Sequence, residues 1–129
     1  MTIELETFQT QATDWAVECF GRHEALEDRA RRVHRFVEEA LELAQALNCS
    51  KSEVLELVDY VFGRPKGEPA QEVGGTMVTL ACLCSAHGLD MHGAAVLELV
   101  RCYERIEKIR AKSAAKPKFG ALPGPDQGA

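Results

Sequence analysis

Val33-His34-Arg35-Phe36-Val37-Glu38-Glu39-Ala40-Leu41-Glu42-Leu43-Ala44-Gln45-Ala46-Leu47 is the stretch that decides the fold class. Val33, Phe36, Val37, Ala40, Leu41, Ala44 and Leu47 recur at i, i+3, i+4 and i+7, which gathers them on one stripe of an α-helix. The helix is predicted from about Ala25 to Leu47 and is broken by Asn48-Cys49. On its N-terminal side, Phe8, Ala12, Trp15, Ala16 and Cys19 share helical spacing, so a first helix is expected over about Leu5 to Cys19, ended by Phe20-Gly21. On its C-terminal side, Ser50 stands three residues before Glu53, a capping-box pattern that starts a helix running to about Phe62. Gly63-Arg64-Pro65 stops it, and Lys66-Gly67-Glu68-Pro69 reads as a loop.

A fourth helix, Pro69 to Ala86, is apolar almost all round, the character of a helix in the middle of a bundle or in a subunit interface. His87-Gly88-Leu89-Asp90 is a turn in which Asp90 can cap the last helix, about Met91 to Ala115. Residues 1–115 are therefore expected to form one all-α domain, a four- to five-helix bundle. The tail 116–129, with Pro117, Pro123, Pro125, Gly120, Gly124 and Gly128, is expected to be unfolded or strapped over a neighbour.

Composition narrows the class. The 129 residues suit one domain, and 46% hydrophobic with 27% charged is a globular balance. Aromatics at 6% argue against a β-sandwich. With a net charge of −5 the chain does not attract nucleic acid by bulk charge, so a polyanionic ligand would have to be handled locally, through metal ions. No stretch approaches the ~18 uninterrupted apolar residues of a membrane span, and the acidic start lacks the basic residues of a signal peptide. Five cysteines, at 19, 49, 82, 84 and 102, have no zinc-like spacing and read as reduced thiols packed in a cytoplasmic protein.

Chemistry concentrates on the second helix. Glu38, Glu39 and Glu42 fall opposite the apolar stripe, with Glu39 and Glu42 at i, i+3 and Glu38 and Glu42 at i, i+4. Like charges at those spacings cost a few tenths of a kcal/mol per pair, so either the face is simply solvated or a cation belongs there. Glu72 opens the nearly apolar fourth helix, with Thr76 and Thr79 behind it on one face. It either complements the helix dipole or joins the three carboxylates of the second helix through a polar notch. Four hard oxygen ligands without His or Cys suit Mg²⁺ or Mn²⁺, and Mg²⁺ usually completes its shell with water and substrate phosphate. Arg101, Arg105, Lys108 and Lys112 lie at i, i+4, i+7 and i+11, one face of the last helix, placed for phosphate oxygens or for salt bridges with the interleaved Glu104 and Glu107. Trp15, the only Trp, is a core residue or a base-stacking one.

Arg35-Phe36-Val37-Glu38-Glu39-Ala40-Leu41-Glu42-Leu43 resembles the EExxE signature of the MazG-like all-α nucleoside triphosphate pyrophosphohydrolases. Glu72-Val73-Gly74-Gly75 stands where that family has its ExxD motif, and the stretch from Asp59 to Gly75 is similar to a phage and bacterial branch. The resemblance spans about Trp15 to Pro117. It implies hydrolysis of a nucleoside triphosphate to monophosphate and pyrophosphate, with Mg²⁺ or Mn²⁺ on Glu39, Glu42 and Glu72. Glu38 would bind metal or orient the attacking water, and the basic residues of the last helix would meet the phosphates. It also implies a homo-oligomer, at least a dimer. The departure is Gly75, where the family has Asp. That leaves a second expectation open: a catalytically impaired helical oligomer that binds nucleotide or protein. Asp59 or Glu68 could replace the missing ligand, though a solvated helix end and a loop explain them as well.

Overall fold

Phe20-Gly21 ends the first helix because Gly21 takes φ 83°, a left-handed conformation that costs glycine nothing. That helix, α1, runs Thr2–Phe20. The computed structural model describes residues 2–116, with side chains from residue 7; the tail beyond Lys116 lies outside the described residues. α1 is followed by a π-helical turn, His23–Glu27, then α2 (Arg29–Ala46), α3 (Lys51–Phe62), α4 (Pro69–Ala86), α5 (Met91–Glu104) and α6 (Ile106–Ala115). Among the described residues there is no strand, so the chain is all-α as expected.

Two boundaries differ from the sequence reading. The second helix starts at Arg29, not Ala25, because Asp28 acts as its cap: the Asp28 carboxylate accepts the Arg31 N–H at 3.2 Å. The last helix is two helices, broken at Arg105, which leaves helical geometry with φ −116° and ψ 23°. The other helix ends follow the local chemistry. Ser50 accepts the Glu53 N–H at 3.1 Å and caps α3. Glu68 accepts the Gln71 N–H at 2.9 Å and caps α4, with Pro69 behind it in the first turn. α2 and α4 end alike, through a left-handed residue at Asn48 (φ 67°) and at Gly88 (φ 66°). In each, the next N–H reaches back five residues, Cys49 to Ala44 and Leu89 to Cys84.

The chain divides into two compact units. The first comprises Met1–Val33 and His92–Ala129. Here α6 packs on α1, and the joint is polar. Arg110 donates from Nε to the Cys19 carbonyl at 2.7 Å and from a terminal nitrogen to the Glu18 carbonyl at 2.8 Å, satisfying the open end of α1. Arg31, only 3% exposed, donates to the Ser113 carbonyl and, at 2.9 Å, to its Oγ. It also pairs with Glu24 at 3.3 Å. Trp15 and Phe20 meet edge to face at 5.5 Å, and the Arg32 guanidinium lies 5.1 Å over the Phe20 ring.

The second unit, His34–Met91, holds most of α2, all of α3 and all of α4. It is nearly devoid of buried apolar side chains: Cys84 is the buried hydrophobic residue that the described part of this unit contributes. The apolar stripe of α2, expected to face inward, is open, with Phe36, Val37 and Leu41 about half exposed. On α3, Leu55, Leu57, Val58, Val61 and Phe62 are exposed, Phe62 by 84%; on α4, so are Val73, Met77 and Val78. The unit also carries nine acidic residues against four basic ones, so the chain's whole net charge of −5 resides in it.

Candidate functional site

The three carboxylates of α2 occupy one turn and a fraction of a second, Glu38 to Glu42, on the side of the helix away from Phe36, Val37 and Leu41. Glu39 and Glu42 are exposed. Glu38 is three-quarters buried and takes a charge-assisted hydrogen bond from Arg35 at 2.9 Å, one turn earlier. Arg35 thus answers part of the like-charge crowding locally and holds Glu38 in one orientation.

Glu72, in the same unit, is engaged at the start of its own helix. Its carboxylate lies against the backbone at Gly67, where a Cβ would collide with it, so Gly67 is the residue that lets this side chain fold back. An acid in the first turn, beside a loop, complements the N-terminal end of the helix dipole. Thr76 and Thr79 do not extend a polar track from it. Thr76 Oγ1 bonds the Glu72 carbonyl at 2.8 Å, and Thr79 Oγ1 bonds the carbonyls of Gly75 and Thr76 at 2.9 and 3.0 Å, both satisfied within α4. Gly75 has no atom within 4 Å of where a Cβ would stand. Among the described residues, no three His, Cys, Asp or Glu side chains converge closely enough to hold a metal ion. The donor chemistry of Glu38, Glu39, Glu42 and Glu72 suits a hard cation, but their arrangement in this one chain does not close around it. Of the two substitutes considered, Glu68 is occupied as the cap of α4, and Asp59 is an exposed residue of α3 whose carbonyl accepts the Gly63 N–H at 3.0 Å.

The basic residues lie in the other unit. The break at Arg105 puts Arg101 on α5 and Lys108 and Lys112 on α6, so they do not share one continuous helix face. All four are exposed. Arg101 pairs with Glu98 at 3.2 Å, one turn before it. Trp15 is half-buried against Phe20, and its Nε1 is buried with no hydrogen-bond partner.

Two cysteines have shifted thiols. Burial pushes the Cys19 thiol up, against the lowering pull of Arg110. Cys49, whose Sγ lies 3.4 Å from a Glu53 oxygen, is raised chiefly by that hydrogen bond. Neither is an activated thiolate. The grouping that sequence reasoning missed is Glu24–Arg31–Ser113. Arg31 has the spacing of a surface residue, and nothing local marks it as buried.

No single helix among the described residues is long and apolar enough to cross a membrane. No family model matches the chain, and no curated protein or solved structure matches it.

Proposed function

We propose that the chain is a metal-dependent nucleoside triphosphate pyrophosphohydrolase of the MazG-like type, a helical bundle acting in the cytoplasm as a homo-oligomer of at least two copies. The observation that supports this most is the row Glu38, Glu39 and Glu42 on α2, the last two exposed, in a unit that carries the chain's entire net negative charge. Oxygen-only donors of this kind select Mg²⁺ or Mn²⁺. When bound, such an ion neutralises phosphate charge and lowers the pKa of a coordinated water. Glu39, Glu42 and Glu72 are the proposed ligands. Glu38, fixed by Arg35, is a ligand or the group that orients the attacking water. Arg101, Arg105, Lys108 and Lys112 are proposed for the phosphates, and Trp15 for the base. The test is incubation with a panel of ribo- and deoxyribonucleoside triphosphates plus Mg²⁺ or Mn²⁺, with products resolved. Monophosphate plus pyrophosphate is the expected outcome; turnover of none of them refutes the reading.

A second reading draws on two specific observations. Glu72 is turned onto the Gly67 backbone, and Gly75 stands where the resembled motif has its Asp. On this reading the chain binds nucleotide or a protein partner without hydrolysis, and the same panel separates the two, since binding would be measured without products.

A further inference from the structure

We propose that Arg64 and Lys66, in the loop between α3 and α4, bind the phosphates of the substrate, and that Tyr60 positions Arg64 for this. The inference rests on the proposed function and adds residues that the sequence motifs did not mark.

The His34–Met91 unit has four Lys and Arg residues, and they are not equivalent. Arg35 is paired with Glu38. Lys51 opens α3, at the end of that helix away from the loop. Arg64 and Lys66 stand two residues apart in the loop, both exposed. Neither makes an ion pair or a side-chain hydrogen bond among the described residues. In a unit with nine carboxylates, two neighbouring cations left without one are open to an anion from outside.

The loop is held to one shape. Gly63 closes α3 with its N–H on the Asp59 carbonyl at 3.0 Å, and a Cβ at Gly63 would stand 3.0 Å from the same oxygen. The Arg64 N–H follows on the Val61 carbonyl at 3.2 Å. Pro65 fixes its own φ, and Glu68 then caps α4. The Arg64 guanidinium lies 4.9 Å over the Tyr60 ring, one turn back. The ring attracts the cation but offers no lone pair, so the N–H fork stays open for the paired oxygens of a phosphate.

Placement carries the argument to the substrate. The Glu72 carboxylate, a proposed metal ligand, folds onto the backbone of Gly67, the residue after Lys66. Successive Cα atoms are about 3.8 Å apart, so Lys66 is one step from that contact and Arg64 at most about 11 Å along the chain. A phosphate drawn to Glu72 through a cation comes within reach of both side chains. Arg101, Lys108 and Lys112 belong to the other unit, and Arg101 is already paired with Glu98.

The experiment is calorimetric titration of the full chain with inorganic triphosphate and Mg²⁺, with helicity followed in parallel. Arg64→Gln and Lys66→Gln should each weaken binding about tenfold, the loss of a charge-assisted contact. Lys51→Gln removes the same charge from the same unit and should leave binding within about twofold, which separates contact from bulk attraction. Arg64→Lys should recover part of the affinity. Tyr60→Leu should weaken binding about threefold in the parent and not at all in Arg64→Gln, while Tyr60→Phe keeps the parental affinity, because the ring acts through Arg64. Arg64→Gln and Lys66→Gln variants that bind as Lys51→Gln does overturn the proposal, and so does a parent that binds no triphosphate. If the parent hydrolyses nucleoside triphosphates and those two variants bind and turn over as it does, the loop assignment falls and the proposed function stands. If triphosphate binds through Arg64 and Lys66 but no nucleotide is hydrolysed, the phosphate site stands and hydrolysis falls.

Discussion

Replacing Arg31 by Met should cost the first unit a large part of its stability. The side chain is 3% exposed, pairs with Glu24 at 3.3 Å, and donates to both oxygens of Ser113. Met fills much of the volume and keeps the packing of the stem, so the loss isolates the guanidinium. Removing one member of a buried ion pair costs about 3–5 kcal/mol, because the partner is left desolvated. Glu24 retains 25% exposure and a hydroxyl 3.5 Å away on Ser113, which softens its loss. The expected change is therefore about 2–4 kcal/mol, against a total of about 5–15 kcal/mol for an ordinary domain. Arg31→Lys should recover only part, since one ammonium cannot reach Glu24 and Ser113 with the fork of a guanidinium. Urea unfolding followed by circular dichroism measures the global term. Amide exchange should show α6 losing protection first, because Arg31 ties Ser113 of α6 to the start of α2. A loss below about 1 kcal/mol with α6 still protected would refute the buried network as a source of stability.

On the proposed function, Glu39→Gln or Glu72→Gln should abolish turnover while helicity is retained, and the metal-free melting temperature should stay level or rise as like-charge crowding is relieved; hydrolysis at the parental rate by either variant would remove that residue from the metal site. Gly75→Asp enters open space, and its better helix propensity is offset by a like charge three residues after Glu72, so stability should move by less than about 0.5 kcal/mol. Metal affinity by calorimetry should nevertheless tighten, and an unchanged affinity means position 75 does not face the ion. Exposed Cys82 should react with a thiol reagent fastest, while buried Cys19 and Cys84 wait for unfolding. Because burial pushes the Cys19 thiol above its ordinary value, the protonated form is favoured in the fold. That stability is fully present below the unfolded value and is lost as pH rises through the folded one. A Cys19→Ala variant with the same alkaline decline as the parent would contradict this.

Helix ends written in local chemistry were legible in advance. Ser50 caps α3 as its spacing to Glu53 indicated, and Asn48 and Gly88 end their helices where a left-handed residue is needed. The Glu53 side chain, however, meets Cys49 Sγ and leaves the capping box half made. The break at Arg105 was not legible, because Arg101-Cys102-Tyr103-Glu104-Arg105-Ile106 contains neither Gly nor Pro. Contacts from far along the chain accompany it: Cys19 Sγ approaches the Ile106 carbonyl at 3.9 Å, and Arg110 holds the end of α1. Arg31 was missed for the same reason, since its partner Ser113 is 82 residues away. Periodicity likewise identified which face of α2 is apolar and had no means of saying what covers it.

The same blind spot bears on the candidate site. Glu38, Glu39 and Glu42 ride on a helix whose opposite face is uncovered, and Glu72 opens a helix that is uncovered as well. A set of carboxylates can hold a cation only if the helices that carry them are fixed, because an ion bound by mobile ligands repays little of their ordering entropy. Within one chain, packing that would fix α2 and α4 is sparse, and no metal-binding group forms among the described residues. In the oligomer proposed above, packing against α4 would immobilise the helix that begins with Glu72, and metal on the carboxylates would relieve the charge that opposes bringing acidic units together. Thermodynamic linkage then makes the two events favour each other: a cation that binds the associated form better must also tighten association, by the same factor. On the proposed function, the acidic face and the charge-free helix are then two parts of one requirement, and cation binding and assembly would support each other.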